Sequence, residues 1–319
     1  MKIIYMGTPA FACPALEHLH QSQHEIVGVV TGPDKPSGRG KKLRPSEVGS
    51  FAESLGYRIL KPESLRDDGL YQQVKSWDPD LIVVVAFRIL PRKLFSLPRC
   101  GSINVHASLL PRYRGAAPIN WALINGEKET GLSSFFLKKK VDTGDIILQE
   151  SLAIGDDENF DSLHDRLAEM AGPFTLRTVE LIEQGRVSPL GQDDSEATGA
   201  PKIGPFDALI DFGFPAPRVK DFVRGLSTRP GAYTYFRGKK LKILACRVAD
   251  QKGPSDLRPG SVVLARKILL VQCADSAIEI TSVLPEGKKQ MDGSSFINGF
   301  KPQPGEVLGE TSAGGNRKI

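Results

Sequence analysis

Short apolar segments alternate with amphipathic segments along the first part of the chain. Five of the apolar segments have the length and composition of strands: Lys2–Met6, Glu25–Thr31, Arg58–Leu60, Asp80–Phe87 and Gly101–His106. Every position from Leu81 to Phe87 is apolar, which is typical of a strand buried on both faces. Segments whose apolar residues have helical spacing lie between these strands, as over residues 46–55. This alternation predicts an α/β fold with a doubly wound, mostly parallel sheet.

Two more strands, a long helix and a linker are predicted further along. The strands cover residues 130–138 and 145–154, and the helix covers Phe160–Gln184. Its apolar stripe consists of Phe160, Leu163, Leu167, Met170, Phe174, Val179 and Ile182. The chain then becomes polar and rich in Gly, Ser, Asp and Pro. We therefore predict a first domain over 1–190, a linker over 191–205 and a second domain over 206–319.

The second domain has a different pattern. One helix is predicted over Phe214–Leu226, and short strands separated by Gly and Pro follow at Ala232–Phe236, Lys240–Val248, Gly260–Ala265, Ile268–Gln272 and Ala277–Val283. Short strands at this spacing favour a small β-barrel.

Composition places the protein among ordinary globular chains. Hydrophobic residues make up 40% and charged residues 25% of the sequence, and no apolar run approaches the roughly 18 residues of a membrane span. The four cysteines are scattered, which argues against disulfides and against a zinc site. We expect a cytoplasmic protein that has no membrane segment and no metal.

Charge is distributed unevenly between the two halves. Residues 206–319 contain 18 Lys and Arg against 11 Asp and Glu, a net charge of +7, whereas residues 1–205 carry −2. A basic half is consistent with a polyanionic partner and equally with a solvated surface that has none. A second basic feature, residues 31–45, contains five cations and one carboxylate among glycines and prolines. We expect it to be a mobile loop without packed secondary structure that contacts phosphate groups, rather than a plain connector.

Three polar residues indicate catalysis. Asn104 and His106 lie two apart in a predicted strand and therefore share one face, near the strand end marked by Pro111. Asp142 follows in the segment Val141–Asp145. An amide, an imidazole and a carboxylate at strand ends suit acyl transfer, because they supply oxyanion donors and groups that move protons. The competing interpretations are a buried structural histidine at 106 and an ordinary turn at 142.

The residues of this region carry a resemblance to a known family. INVHASLLPRYRG at 103–115 and VDTGD at 141–145 resemble the folate-dependent formyltransferase superfamily. GPDKPSGRGKKLRPSEV at 32–48 and GLSTRPGAYTYFRGKKLKI at 225–243 resemble the branch that formylates methionyl-tRNA, and the similarity extends from end to end. The resemblance implies a Rossmann-like catalytic domain and a C-terminal barrel similar to the OB-fold.

The resemblance also implies an activity and its residues. The activity is transfer of the formyl group of 10-formyltetrahydrofolate to the α-amine of methionyl-initiator-tRNA, which serves translation initiation. Asn104, His106 and Asp142 match the catalytic positions. The residues that match folate contacts are Ser108, Leu109, Leu110 and Pro111. Phe87 and Arg88 occupy the position of a further folate contact, in the loop after the fourth strand. Arg39, Lys41 and Lys42 match the cations that enter the acceptor end of tRNA.

The chain departs from the family pattern at several positions, and two alternatives stay open. Phe87-Arg88 replaces a tyrosine–glycine pair, so that Arg88 either alters the pterin pocket or points away. Lys138–Lys140 stand where an acidic residue often precedes the aspartate motif, and Gly199 stands where a tyrosine is usual. The alternatives are a formyltransferase for a small amine or sugar nucleotide, and an RNA-binding protein on a retired enzyme scaffold. We expect a monomer.

Overall fold

The computed structural model of the chain describes two compact units. The residues described are 1–37, 42–249, 257–265 and 267–309. The first unit comprises residues 1–118, 129–153 and 164–201. The second comprises residues 119–128, 154–163 and the described residues from 202 onward.

The bounds of these two units can be compared with the domain boundaries expected from sequence. Residues 191–201, most of the predicted linker, group with the first unit. Two internal segments, 119–128 and 154–163, group with the second unit although they lie within the predicted first domain. The boundaries 1–190, 191–205 and 206–319 stay a prediction.

The first unit contains a seven-stranded sheet and two small two-stranded sheets. In chain order the strands are β1 (Lys2–Gly7), β2 (Glu25–Val30), β3 (Lys35–Ser37), β4 (Lys42–Arg44), β5 (Ile59–Leu60), β6 (Leu81–Val85), β7 (Ser102–His106), β8 (Arg114–Gly115), β9 (Glu129–Phe136), β10 (Ile146–Ala153) and β11 (Gly199–Ala200). β3 pairs with β4 and β8 pairs with β11, and the other seven strands form the large sheet.

Helices connect these strands. They are α1 (Cys13–His20), α2 (Glu47–Ser54), α3 (Asp68–Ser76), α4 (Arg92–Phe95), α5 (Pro118–Ile124) and α6 (Phe160–Glu183), with short 3-10 helices at Ala10–Ala12 and Asp194–Glu196. Most of α5 and the start of α6 fall in the segments 119–128 and 154–163 of the second unit, which also contains a 3-10 helix at Pro205–Ala208. The long α6 agrees with its apolar stripe: Leu163, Leu167 and Phe174 are fully buried. Within the described ranges no helix has both the length and the apolar character needed to cross a membrane.

The strand order shows where the sheet can hold a ligand. The order is β10-β9-β7-β6-β1-β2-β5. Strands β5, β2, β1, β6 and β7 are parallel, whereas β9 and β10 are antiparallel additions. The predicted mostly parallel, doubly wound sheet is confirmed. The chain runs outward from β1 to β5 and then returns to β6 on the other side of β1, so the order reverses there. Crevices at the carboxyl ends of strands beside such a reversal are ligand sites.

The basic segment over residues 31–45 differs from the expectation of a loop without secondary structure. Strands β3 and β4 form an antiparallel pair in which Lys35 is opposite Arg44 and Ser37 is opposite Lys42. Proline prevents helix here but is compatible with a short two-stranded pair, since Pro36 needs no ladder donor at an edge. The positions between the two strands, including Arg39 and Lys41, lie outside the described residues.

Over the described residues from 209 onward, the second unit is a mostly antiparallel sheet with two α-helices. Its elements in chain order are α7 (Ala216–Gly225), β12 (Tyr233–Phe236), β13 (Lys239–Val248), β14 (Val262–Ala265), β15 (Ile268–Gln272), β16 (Ala277–Pro285), β17 (Met291–Asp292) and α8 (Gly293–Phe300). The sheet follows the order β12-β13-β16-β15-β14, and β17 pairs with β16. This antiparallel half-barrel confirms the predicted barrel-like domain. Sequence analysis missed α8, whose Phe296 packs edge-on against Phe236 in the core.

Carboxylates accept hydrogen bonds from backbone amides at the N-termini of α7 and α8. Asp275 Oδ1 accepts a hydrogen bond from Ala216 N at 2.8 Å, and Asp292 Oδ1 accepts one from Ser295 N at 2.7 Å. These backbone donors favour the ionised carboxylates and hold the pKa of each below its ordinary value of 3.8. A carboxyl group whose pKa is lowered by folding stabilises the protein above its ordinary pKa and loses that effect as pH falls toward the folded value.

We therefore expect the free energy of unfolding to decrease as pH falls below about 4, the ordinary aspartate range. The variant Asp292→Asn keeps a side-chain oxygen that caps α8 but does not titrate there. Its stability at pH 7 should stay close to that of the wild type, and its loss between pH 5 and pH 3 should be smaller. Urea midpoints at these pH values test this expectation. Identical acid sensitivity of the two proteins would contradict it.

Candidate active site

Asn104 and His106 lie on β7, one strand away from the reversal in sheet order. In the register of the sheet, Asn104 is opposite Val84 of β6 and Phe135 of β9. Alternation along β7 places the side chains of Asn104 and His106 on the same face. Asn104 is only partly buried, and within the described part of the chain its carboxamide forms no hydrogen bond. Two N–H donors and one carbonyl oxygen are therefore available to a substrate.

His106 is oriented by a backbone carbonyl. Its side chain is buried, and Nε2 lies 2.9 Å from the carbonyl oxygen of Tyr113. Because a carbonyl oxygen only accepts, Nε2 must carry the hydrogen. The neutral ring then has its lone pair on Nδ1, and Nδ1 gains a hydrogen only when the ring is protonated. The structure thus fixes the tautomer, which the sequence left open.

Asp142 is held by the backbone of Gly115. Asp142 has a left-handed backbone conformation (φ 53°), and its Oδ2 accepts a hydrogen bond from Gly115 N at 2.9 Å. Gly115 itself has φ 132° and approaches the carbonyl of Ala200 so closely that a Cβ atom would lie 2.5 Å from that oxygen. Only glycine fits this backbone without displacing the carbonyl of Ala200.

The segment 113–115 therefore contacts both side chains. The carbonyl of Tyr113 accepts from His106, and the amide of Gly115 donates to Asp142. Since only two peptide units separate these groups, His106 Nε2 and Asp142 Oδ2 lie no more than about 12 Å apart. Among the described hydrogen bonds none joins His106 to Asp142, so the carboxylate does not orient the ring directly. The catalytic assignment of the three residues stays a prediction.

The segment Ser108–Pro111 is a turn closed by side-chain hydrogen bonds. The Ser108 hydroxyl donates to the carbonyl of Arg112 at 2.7 Å, and Ser133 Oγ donates to the carbonyl of Ser108 at 2.6 Å. Ser108 and Leu110 are buried, with exposed fractions of 0% and 3%. Leu109 and Pro111 remain partly exposed. Their contact with folate stays a prediction, and for Ser108 the structure adds a role in closing the turn.

Phe87 and Arg88 follow β6 at the carboxyl edge of the sheet. The Arg88 guanidinium donates to the carbonyls of Pro62 and Glu63 at 2.7 and 2.9 Å. Burial lowers the pKa of Arg88 from its usual range. The Arg88 side chain thus links the loop after β6 to the loop after β5, through hydrogen bonds to the backbone carbonyls of Pro62 and Glu63. The partly buried Phe87 and the 73% exposed Ile89 are apolar groups of the same loop.

The cations predicted to contact tRNA are described only in part. Arg39 and Lys41 lie outside the described residues, whereas Lys42 is exposed on β4.

In the first unit the run Lys138–Lys140 partly neutralises nearby acids: Lys138 pairs with Asp145 at 2.7 Å, and Lys140 with Asp194 at 3.4 Å. Over the ranges that the structure describes, no group of three or more His, Cys, Asp or Glu side chains is arranged to hold a metal ion.

Sequence analysis missed Gln192, Arg114 and Thr198. The amide of Gln192 donates to the backbone carbonyl of Asp142 in the turn of residues 141–145, which we call the Asp142 turn. The Arg114 guanidinium donates to Asp194 Oδ1 at 2.7 Å. The bond from Arg114, followed by the charge of Lys140, holds the pKa of Asp194 below 3.8. These residues lie about 50 to 85 positions from their partners, so no local pattern connects them. Gln192 and Thr198 lie in the segment that was predicted to be a polar linker, whereas Arg114 lies at the end of the motif at 103–115.

Comparison with known proteins decides the family. Residues 1–179 match the family model described as formyl transferase, and residues 202–301 match the model for the formyl transferase C-terminal domain. The chain belongs to the formyl transferase family. The resemblance carried by residues 103–115 and 141–145 is thereby confirmed. Asn104, His106 and Asp142 all lie within the part that matches the first model.

Members of the formyl transferase family match this chain over nearly its whole length. A methionyl-tRNA formyltransferase of Moorella thermoacetica is 44% identical over 312 residues, which are 97% of this chain and 99% of the relative. One of Caldanaerobacter subterraneus subsp. tengcongensis is 42% identical and covers 97% of this chain and 100% of the relative. The crystal structure of an N-formyltransferase of Helicobacter canadensis with folinic acid and dTDP-3-aminofucose has a TM-score of 0.67 at 15% identity, covering 88% of this chain and 98% of that chain. At this identity the likeness shows the common fold.

Proposed function

We propose that this protein transfers the formyl group of 10-formyltetrahydrofolate to the α-amine of methionyl-initiator-tRNA. The observation that carries the proposal is the full-length identity of 42–44% to methionyl-tRNA formyltransferases. Asn104, His106 and Asp142 support it, because all three residue types are present and residues 113–115 contact both His106 and Asp142. The basic segment around Lys42 and the positive second half of the chain support an RNA substrate.

Asn104 is the group best suited to the formyl oxygen. When the amine attacks the formyl carbon, negative charge develops on that oxygen. A carboxamide N–H that is not engaged within the protein can donate to this charge without first breaking another bond. The second donor is His106 in its protonated form, through Nδ1–H, because Nε2–H is engaged with Tyr113.

Asp142 is positioned to receive the proton. Its Oδ2 accepts from Gly115 N, and its Oδ1 remains as an acceptor for the amine, directly or through one water. The bond from the amine nitrogen to the formyl carbon forms, the bond from that carbon to the folate N10 breaks, and N10 receives one proton. An aminoacyl amine is less basic than a lysine amine, so a carboxylate is a sufficient acceptor.

The carboxyl edge of the sheet fits a reduced folate. When bound, 10-formyltetrahydrofolate supplies the formyl carbon and a nitrogen leaving group. Phe87, Ile89 and Leu109 present apolar surface at the ends of β6 and β7, which suits a flat pterin and its linker. Arg88, whose guanidinium is bonded to Pro62 and Glu63, does not need to enter that space.

Direct measurement of formylation tests the proposed function. The purified protein is incubated with 10-formyltetrahydrofolate and charged initiator tRNA, charged elongator methionyl-tRNA, or small amines including an amino-sugar nucleotide. We expect formylmethionyl-tRNA to form with initiator tRNA and to form more slowly with the elongator. Faster reaction of a small amine would favour that alternative class. Absence of reaction with every acceptor would indicate a retired enzyme.

Neutralising Lys41 and Lys42 together should weaken tRNA binding in a salt-dependent way. Each phosphate contact releases condensed counterions, so losing two contacts should reduce the slope of log K against log salt by roughly 1.4 to 1.8. We expect a higher KM for tRNA and an unchanged KM for the folate. The control is Lys75→Ala, which removes an exposed cation of α3. An unchanged salt slope in the double variant would remove both lysines from the RNA contact.

A further inference from the structure

The predicted linker contributes to the candidate active site. We define residues 192–200 as the strap. Within the first unit the strap runs beside residues 113–117: Tyr113 N donates to Thr198 Oγ1 and Arg114 N donates to the carbonyl of Thr198, both at 2.9 Å. Gly199 and Ala200 pair in parallel with Arg114 and Gly115. The strap therefore holds the tripeptide that contacts both His106 and Asp142.

Gln192, the first residue of the strap, uses its whole side-chain amide. Nε2 donates to the carbonyls of Asp142 and Gly144 at 3.0 and 2.7 Å. Oε1 accepts from Arg114 Nε at 3.0 Å and from Arg114 Nη2 at 2.7 Å. Both hydrogens and both lone pairs of the amide are thus engaged. At this side-chain length, glutamine combines the N–H donors of Nε2 with the acceptor oxygen Oε1.

The donor atom Nε2 and the acceptor atom Oε1 of this amide both help to position Asp142, through different contacts. Nε2 fixes the backbone carbonyl of Asp142 itself. Oε1 fixes Arg114, which stands between Tyr113, the partner of His106, and Gly115, the partner of Asp142 Oδ2. Arg114 is fixed further by Asp194 of the strap at 2.7 Å. A shift of Gln192 would consequently displace the Asp142 turn relative to His106.

We propose that Gln192 is a positioning residue for formyl transfer, holding Asp142 and the 113–115 tripeptide in reactive geometry. Gln192 acts through Asp142 and Arg114, and its side chain needs no contact with either substrate. The left-handed backbone of Asp142 makes such support necessary, because that conformation is disfavoured for a residue other than glycine. This proposal rests on the proposed function.

Two variants of Gln192 separate the two sides of the amide. Gln192→Ala removes every bond, whereas Gln192→Glu keeps acceptors for Arg114 and removes both donors to the Asp142 turn. Because displacements near 1 Å cost about 100-fold in rate, we expect kcat to fall roughly 10- to 100-fold in both variants. KM for tRNA and for folate should stay within about 2-fold of wild type. Glu196→Gln, an exposed position of the same strap, is the matched control and should keep full activity.

Hydrogen exchange gives a readout that does not depend on turnover. In Gln192→Glu, amides of residues 142–145 and 113–115 should exchange faster than in the wild type, while those of β1 and β6 should be unchanged. Melting temperatures of the three variants show whether the fold is intact at the assay temperature. Gln192→Glu retains its bonds to Arg114, so it remains informative if Gln192→Ala does not fold.

The outcomes distinguish this inference from the proposed function. A kcat of Gln192→Glu within 3-fold of wild type, or unchanged exchange at residues 142–145, would overturn the positioning role. A kcat loss accompanied by an equal loss in Glu196→Gln would also overturn it, since the effect would belong to the strap in general. Failure of the wild type to formylate any acceptor would refute the proposed function, and the exchange measurement would still test whether Gln192 holds the turn.

Discussion

Replacing Asn104 with alanine is expected to lower kcat for formyl transfer by about 10²–10³-fold, the usual cost of losing one oxyanion donor. KM for methionyl-tRNA and for folate should change little, since the lost bond forms with charge that is absent from the bound substrates. The melting temperature should also change little, because the described residues make no hydrogen bond to this carboxamide. A stable protein with low turnover is the expected combination.

The measurement is steady-state formylation with each substrate varied in turn. Asn104→Asp is a sharper version of the same test, because it keeps the shape of the side chain and replaces the donor with negative charge. Its kcat should lie at or below that of Asn104→Ala. Asn298→Ala, at an exposed position of α8, serves as the control. A variant at 104 with normal kcat and a raised KM would assign Asn104 to substrate binding and contradict the catalytic role.

Replacing Gly144 with alanine is expected to lower kcat by more than 100-fold and to lower stability. A Cβ atom at this position would lie 1.6 Å from the carbonyl oxygen of Phe136, so the turn must move away from β9. That movement disrupts the 3.1 Å bond from Phe136 N to the carbonyl of Asp145 and the 2.7 Å bond from Gln192 to Gly144. Overpacking of this kind typically costs about 1–3 kcal/mol, and the displaced carboxylate of Asp142 should lower kcat by more than 100-fold.

Thermal unfolding and kcat at a temperature well below the melting point measure the two effects separately. The matched control is Gly299→Ala in α8, where a new Cβ meets no atom within 4 Å. That variant should be neutral or slightly stabilising, because alanine favours helix over glycine. Wild-type turnover in Gly144→Ala would show that the position of the Asp142 turn does not matter for the reaction.

Local pattern was sufficient for most of the regular structure. The uninterrupted apolar run at 81–87 contains β6, which is buried at all five positions. The stripe from Phe160 marks α6, which ends at Glu183 beside the predicted end at Gln184. Both signals are repeated many times within one element, so they survive single exceptions such as Pro173 inside α6.

Short elements were less visible. Helices α3, α4, α5 and α8 were not predicted, and each has only four to nine residues. A helix of two turns has too few apolar positions to show a period, and its stability comes from contacts with the rest of the unit. The pairing of β3 with β4 was missed for a similar reason: Pro36, Leu43 and their neighbours have no alternation that marks a strand.

The sequence alone determined the chemical groups of the candidate site and the family. Asn104 and His106 share a strand, so their common face follows from backbone geometry, and the motifs around them are specific enough to identify formyl transferases. Only the tertiary structure decided how those groups are held. The tautomer of His106 depends on Tyr113, and the Asp142 turn depends on Gln192, 50 residues away in the chain. Hydrogen bonds between distant segments are set by the packing of the whole sheet, and no periodicity within one segment encodes them.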